Sequence, residues 1–208
     1  MNLRQLVLIR LSKPDYAKIR RDYKAAIYGL IWLFLTGSET PEETRKKMEG
    51  VLLAAFLLAY DLGLEDGGDA IADRTWIKER IAKELVFISA LVTELYMLRQ
   101  SKVFDAMAVA DTRLTGYVAS LDGVYNQGKV TGYGDDLLTF AGISGQPPEF
   151  PCKECDYWLG KTRPASFWVT HELIPGQPGN QNFTCQGFRC RHTLEDENGD
   201  IFLWTQLL

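Results

Sequence analysis

Thr40-Pro-Glu-Glu-Thr-Arg-Lys-Lys-Met-Glu-Gly-Val-Leu-Leu-Ala-Ala-Phe-Leu-Leu-Ala-Tyr-Asp-Leu62 decides the fold class of this chain. A hydroxyl residue stands before a proline and two glutamates. These are a capping side chain, a first-turn residue with no N–H to lose, and negative charge at the positive end of the helix dipole. Behind that start signal Met48, Leu52, Ala55, Phe56 and Ala59 recur at three- and four-residue steps, which places them on one buried face. The run therefore reads as a helix to about Leu62, with Gly63 and Gly67-Gly68 punctuating it.

The same periodicity extends on both sides. Upstream, Pro14-Asp15 opens a helix whose apolar face is Tyr16, Ile19, Tyr23, Ile27, Leu30, Ile31 and Phe34, ended by Gly37-Ser38. Residues 3–11 read as a short strand or an arm. Downstream, Asp69 is expected to cap a long helix from Ala70 to about Gln100, with Ile77, Ile81, Leu85, Ile88, Leu91, Val92, Leu95 and Leu98 as its stripe. Glu84 interrupts that stripe. A fourth helix covers Val103 to about Asn126. Then Gly128, Gly132, Gly134, Gly142, Gly145 and Pro147-Pro148 follow closely, a density of breakers that reads as an extended arm. Residues 150–208 are rich in turns and aromatics. The expected fold is mainly α: a bundle of about four helices over 1–126, a Gly/Pro-rich linker or arm over 127–149, and a small Cys-rich module, irregular or β, over 150–208.

All four cysteines lie in that module, as Cys152-Lys-Glu-Cys155 and Cys185-Gln-Gly-Phe-Arg-Cys190. Two short-spaced pairs joined by one loop suit a tetrahedral metal site, each pair gripping the ion from one turn. A module of under about sixty residues has little core of its own and gains from such a staple. Cys152, Cys155, Cys185 and Cys190 are therefore the expected ligands of a structural zinc ion. His192 is an alternative to Cys190 or a neighbour of the ligands, and His171 sits mid-loop. The competing reading is four buried thiols or a disulfide. The second pair has a four-residue gap where a regular zinc knuckle has two.

Several function classes recede. A thiolate quartet closes the coordination sphere that a catalytic zinc keeps open. With 2 histidines in the chain there is little material for acid–base work near neutral pH. Nothing orients a cysteine nucleophile toward His171 or His192, and no phosphate loop, serine elbow or His-Glu-x-x-His motif is present. The chain reads as no enzyme, with a hydrolase or nuclease using Cys and His as the weakest alternative. The net charge of −4 argues against a dedicated nucleic-acid binder. A zinc-ribbon-like nucleic-acid-binding module is the alternative reading, but Lys153, Lys161, Arg163, Arg189 and Arg191 are outnumbered there by carboxylates. Residues 1–36 are basic (Arg4, Arg10, Lys13, Lys18, Arg20, Arg21, Lys24), a face for DNA or an acidic partner, or a solvated helix face. Met1-Asn-Leu-Arg shows no export signal and no apolar run is long enough to span a bilayer, so a soluble, cytoplasmically made protein is expected.

Arg113-Leu-Thr-Gly-Tyr-Val-Ala-Ser-Leu-Asp-Gly-Val-Tyr-Asn-Gln-Gly128, then Cys152-x-x-Cys155, Trp168, Leu173-Ile-Pro-Gly176 and Cys185-Gln-Gly-Phe-Arg-Cys190-Arg-His192-x-Leu194 together resemble the C-terminal half of phage minor head proteins. These are the head-morphogenesis proteins similar to protein F of phage Mu. The resemblance covers roughly residues 110–195, and the Arg191-His192 ending departs from it. It implies a virion structural protein near the portal or neck, assembled in the host cytoplasm in several copies. Portal, capsid or neck proteins would be its partners; packaged DNA is a partner open to the basic N-terminal face by its charge alone. Trp168, Phe188 and Trp204 read as interface anchors or, for each, as part of the module's own small core.

Overall fold

A computed structural model describes residues 15–101, 106–143, 152–187 and 190–204. The expected strand or arm at 3–11, the basic Arg4, Arg10 and Lys13, and the aromatics Phe150 and Phe188 lie outside these residues. So does 144–149 of the expected linker.

The protein is mainly helical, with four long helices, a small sheet and a Cys-rich C-terminal region. Helix α1 is Tyr16–Leu35, α2 Pro41–Gly67, α3 Thr75–Gln100 and α4 Ala106–Gly132. The side chain of Asp15 caps α1 by accepting from the Lys18 amide at 2.6 Å. Six of its seven expected stripe residues are buried, and Leu30 packs partly buried against the same core. Helix α2 begins with a full capping box. Thr40 Oγ1 accepts from the Glu43 amide and Glu43 accepts from the Thr40 amide, at 3.3 and 2.9 Å. Thr40→Ala should cost about 1 kcal/mol of stability, read as a small drop in the urea midpoint with an unchanged slope.

Three expected helix ends move. Helix α2 runs to Gly67 rather than about Leu62. Helix α3 starts at Thr75 rather than Ala70. Asp69 turns its carboxylate to the Ile71 amide, and Asp73 accepts from both the amide and the hydroxyl of Thr75. The capping function passes to the second aspartate because Asp69 is still bound into the end of α2, its amide donating to Leu64 O.

The larger correction concerns residues 127–149. Helix α4 continues to Gly132, and Leu137–Gly142 is a strand, β1. The glycines at 128 and 132 do not break the helix; they let it lie against α2. A Cβ on Gly128 would fall on the Tyr60 carbonyl oxygen, and one on Gly132 on that of Leu64. Reciprocally, a Cβ on Gly63 would meet the Tyr125 oxygen and stand 2.8 Å from Lys129 N, and one on Gly67 would meet the Lys129 oxygen. Four residues apart, the two glycines of each helix share one face, so the α2–α4 crossing is backbone against backbone.

The C-terminal region holds β1, α5 (Lys153–Trp158), β2 (Thr162–Pro164), α6 (Ala165–Thr170) and β3 (His192–Glu195). The sheet is antiparallel in the order β2-β1-β3, with Leu138 opposite Arg163 and Phe140 opposite Leu194. Leu138 and Phe140 alternate inward and build a second core with Trp168, Phe183, Ile174 and Cys155. Trp168 is fully buried and its Nε1 donates to Leu138 O at 3.2 Å, so it is a core residue and not an exposed anchor. Trp204 is partly buried against the helical core, edge-on to Tyr16.

The module is fastened along α4. Lys129 Nζ donates to Phe202 O at 2.7 Å, Asn126 exchanges two hydrogen bonds with the Trp204 backbone, and buried Gln177 donates to Gln127 at 2.6 Å. Val130 of α4 sits in the module's own core. On the same face of α4, one turn before Asn126, Asp122 Oδ1 accepts from Tyr16 and Arg20 of α1. Of the basic N-terminal residues that are described, Arg20 is committed to that pair and Lys18 to Asp22.

Candidate metal centre

Cys152 lies at the start of α5 and Cys155 inside its first turn, so one helical turn presents both sulphurs on the same side. Their carbonyls accept from the Asp156 and Leu159 amides, at 2.9 and 3.0 Å, which fixes the turn. The second pair is shaped by a loop. Gln186 and Gly187 both have positive φ, 50° and 71°. At Gly187 a Cβ would strike the Gln177 carbonyl oxygen, so no other residue fits there. Gln186 O accepts from the Gly179 amide at 2.9 Å, tying the knuckle to the Leu173–Gly179 loop.

These turns bring the four sulphurs together. Those of Cys152, Cys155 and Cys185 lie within 4.8 Å of one another, and so do the donor atoms of Cys155, Cys190 and His192. Cys185 is in hydrogen-bonding contact with Cys190 and with Cys152, and Cys190 with Cys155. Cys155 belongs to both groups and so links the first cysteine pair to Cys190 and His192. A Zn–S bond of about 2.3 Å gives a tetrahedron edge of about 3.8 Å, and the donor atoms of each group lie within 4.8 Å of one another. All four cysteines are free thiols, so the disulfide reading is not the one this structure takes. The cluster can hold a metal ion.

The electrostatics fit that role. Thiols packed this closely resist ionising: Cys190 is pushed up to about 11, chiefly by its hydrogen bond with Cys155. Cys185 is pushed up by Cys190 and then by burial. A divalent ion would replace those shared protons and relieve the crowding of charge. His192 is buried with its ring tilted against Phe140, and its Nδ1 is 3.8 Å from Cys190 Sγ. Burial holds its imidazole below the ordinary value, so a neutral nitrogen faces the cluster. The structure thus brings together all five expected residues. His171 is left out: it is exposed, stacked on Phe167, with Nδ1 at 2.9 Å from Phe167 O.

One residue of the site carries no sequence signal. Glu154, between the first two cysteines, accepts from the Thr184 hydroxyl at 2.7 Å and its amide at 2.9 Å, and from Cys152 Sγ at 3.3 Å. The Thr184 bonds hold its carboxyl down to about 2. Glu154 therefore latches one knuckle to the other, since Thr184 precedes Cys185. Glu154→Ala should weaken metal retention about 10- to 100-fold, as loss of a supporting group does, while Glu154→Gln keeps the acceptor and restores most of it. Competition with a chromophoric chelator reads both.

No family model matches the chain, and neither a curated protein nor a solved structure matches it. Among the described residues no helix is long and apolar enough to cross a membrane.

Proposed function

We propose that this is a non-enzymatic structural protein whose C-terminal module is stapled by one zinc ion on Cys152, Cys155, Cys185 and Cys190. It would serve as a minor head or neck-region protein of a tailed phage. The observation that carries the metal reading is the convergence of four thiols from two turns about thirty residues apart. Four soft thiol ligands favour zinc over hard cations. What supports the assembly reading is the run of residues that resembles phage minor head proteins, together with a bundle surface that is apolar in many places. Trp32, Leu53, Val86, Phe87 and Met97 are all exposed, and such side chains suit a part held between other subunits.

Two measurements test it. Metal analysis of the purified protein should return one zinc per chain. Co-expression with portal, capsid and neck proteins of a tailed phage should give a stable complex with one of them. A protein that stays monomeric and co-purifies with none of those virion proteins would overturn the assembly reading and leave the metal reading to stand alone.

A further inference from the structure

Helices α3 and α4 both pack on α2 but touch each other sparsely. Between them runs a groove of about 810 Å³. Val86, Phe87 and Ala90 of α3 form one wall, and Gly116 and Tyr117 of α4 the other; Pro178 of the C-terminal module closes one end. Val86 and Phe87 are exposed, and at Gly116 a Cβ would meet nothing within 4 Å. A second backbone can therefore come close to α4 there.

At the closed end an arginine is already paired. Arg80 pairs with buried Glu84 at 2.6 Å and donates to Ser120 Oγ and Pro178 O, at 3.1 and 3.2 Å, while its buried Nε has no partner. At the other end Arg113 pairs with Glu94. With those charges matched, exposed Lys83 is the lining charge left over, and it has no ion-pair partner among the described residues.

We propose that this groove docks an amphipathic α-helix of a partner protein, with its apolar stripe against Val86, Phe87 and Tyr117 and an acidic side chain at Lys83. The walls are helices whose backbone groups are already bonded to one another. An extended peptide would find no ladder there and would leave its own N–H and C=O groups unpaired, whereas a helix satisfies its own. From Arg80 to Glu94 the groove follows about 14 residues of α3, about 21 Å at 1.5 Å per residue, which admits four turns. A helix between two splayed helices packs ridge into groove. This proposal does not depend on the identity of the metal or of the virion.

The test uses a display library of random 18-residue peptides selected on the full-length protein. Enriched sequences should carry apolar residues at i, i+3 or i+4 and i+7 with Asp or Glu toward one end. Gly116→Leu fills open space without touching the fold, and should weaken the enriched peptides at least tenfold. Lys83→Glu should shift selection toward basic ends. Enrichment of extended or Pro-rich sequences, or peptides that bind Gly116→Leu as well as the parent, would overturn the proposal. So would self-association of the protein that Gly116→Leu abolishes, because the occupant would then be a second copy of this chain.

Discussion

Gly128→Ala is expected to destabilise the protein by about 3 kcal/mol or more, the upper end of what overpacking does. The new methyl would lie on the Tyr60 carbonyl oxygen and 3.2 Å from Leu64 N. Neither neighbour is a flexible side chain that can swing aside; both belong to α2. The two longest helices would have to separate, and the cores on either side of the crossing, Phe56 and Leu64 among them, would loosen with them. Against this stands the ordinary gain of about 1 kcal/mol when a helical glycine becomes alanine, which is too small to compensate. The comparison variant is Gly50→Ala. It lies in α2 with nothing within 4 Å of the added carbon, so it should stabilise by about 0.4–1 kcal/mol. The same substitution thus has opposite signs at two positions, and urea unfolding of both variants reads it. Equal stability of Gly128→Ala and the parent would mean that α2 and α4 do not meet backbone to backbone.

Those glycines also mark where a single sequence stops being legible. Features set by residues close in the chain could be read directly. The Thr40 box, the α1 stripe and the paired cysteines are local patterns with local causes. Glu84 stood out as polar in an apolar stripe, and it is buried against Arg80 and Ser120. By contrast, Gly128 and Gly132 look locally like breakers; only α2, some sixty-five residues earlier, makes them helix-packing positions. The matched four-residue spacing of Gly63/Gly67 and Gly128/Gly132 was the available signal. Likewise Leu138 and Phe140 alternate as a strand should, but six residues amid glycines show that only when β2 and β3 flank them. At the cysteine cluster the residues that come together were legible because few residue types can serve as metal donors. Glu154 and Thr184 were not, since a carboxylate and a hydroxyl thirty residues apart have no reason to meet until the two knuckles do.

Removal of the proposed zinc ion should have the second large effect, and an uneven one. Zinc at a structural thiolate site contributes on the order of 10–16 kcal/mol of apparent binding free energy at neutral pH. Docking of the module on α4 rests on a few hydrogen bonds through Asn126, Gln127 and Lys129, each with a net value of about 0.5–1.5 kcal/mol, somewhat more for the lysine. The apolar contact at Val130 adds to these, yet the proposed zinc ion would contribute more than the docking contacts do. Chelation, or Cys185→Ser, should therefore unfold β1, β2, β3 and the Cys185–Cys190 knuckle while α1, α2 and the glycine-packed crossing persist. Hydrogen exchange should rise at Leu138, Phe140 and Leu194, and the fluorescence of Trp158 and Trp168 should shift toward that of solvated indole. The amides of Leu52 and Leu64 should stay protected. Two further variants assign the fourth ligand. If four thiolates bind the ion, His192→Ala keeps one zinc per chain and Cys190→Ser loses most of it; if His192 binds in place of Cys190, the two results exchange. A folded module with four titratable thiols and no bound metal would remove the staple altogether, and the knuckles would then be held by Glu154, Thr184 and the surrounding aromatic core alone.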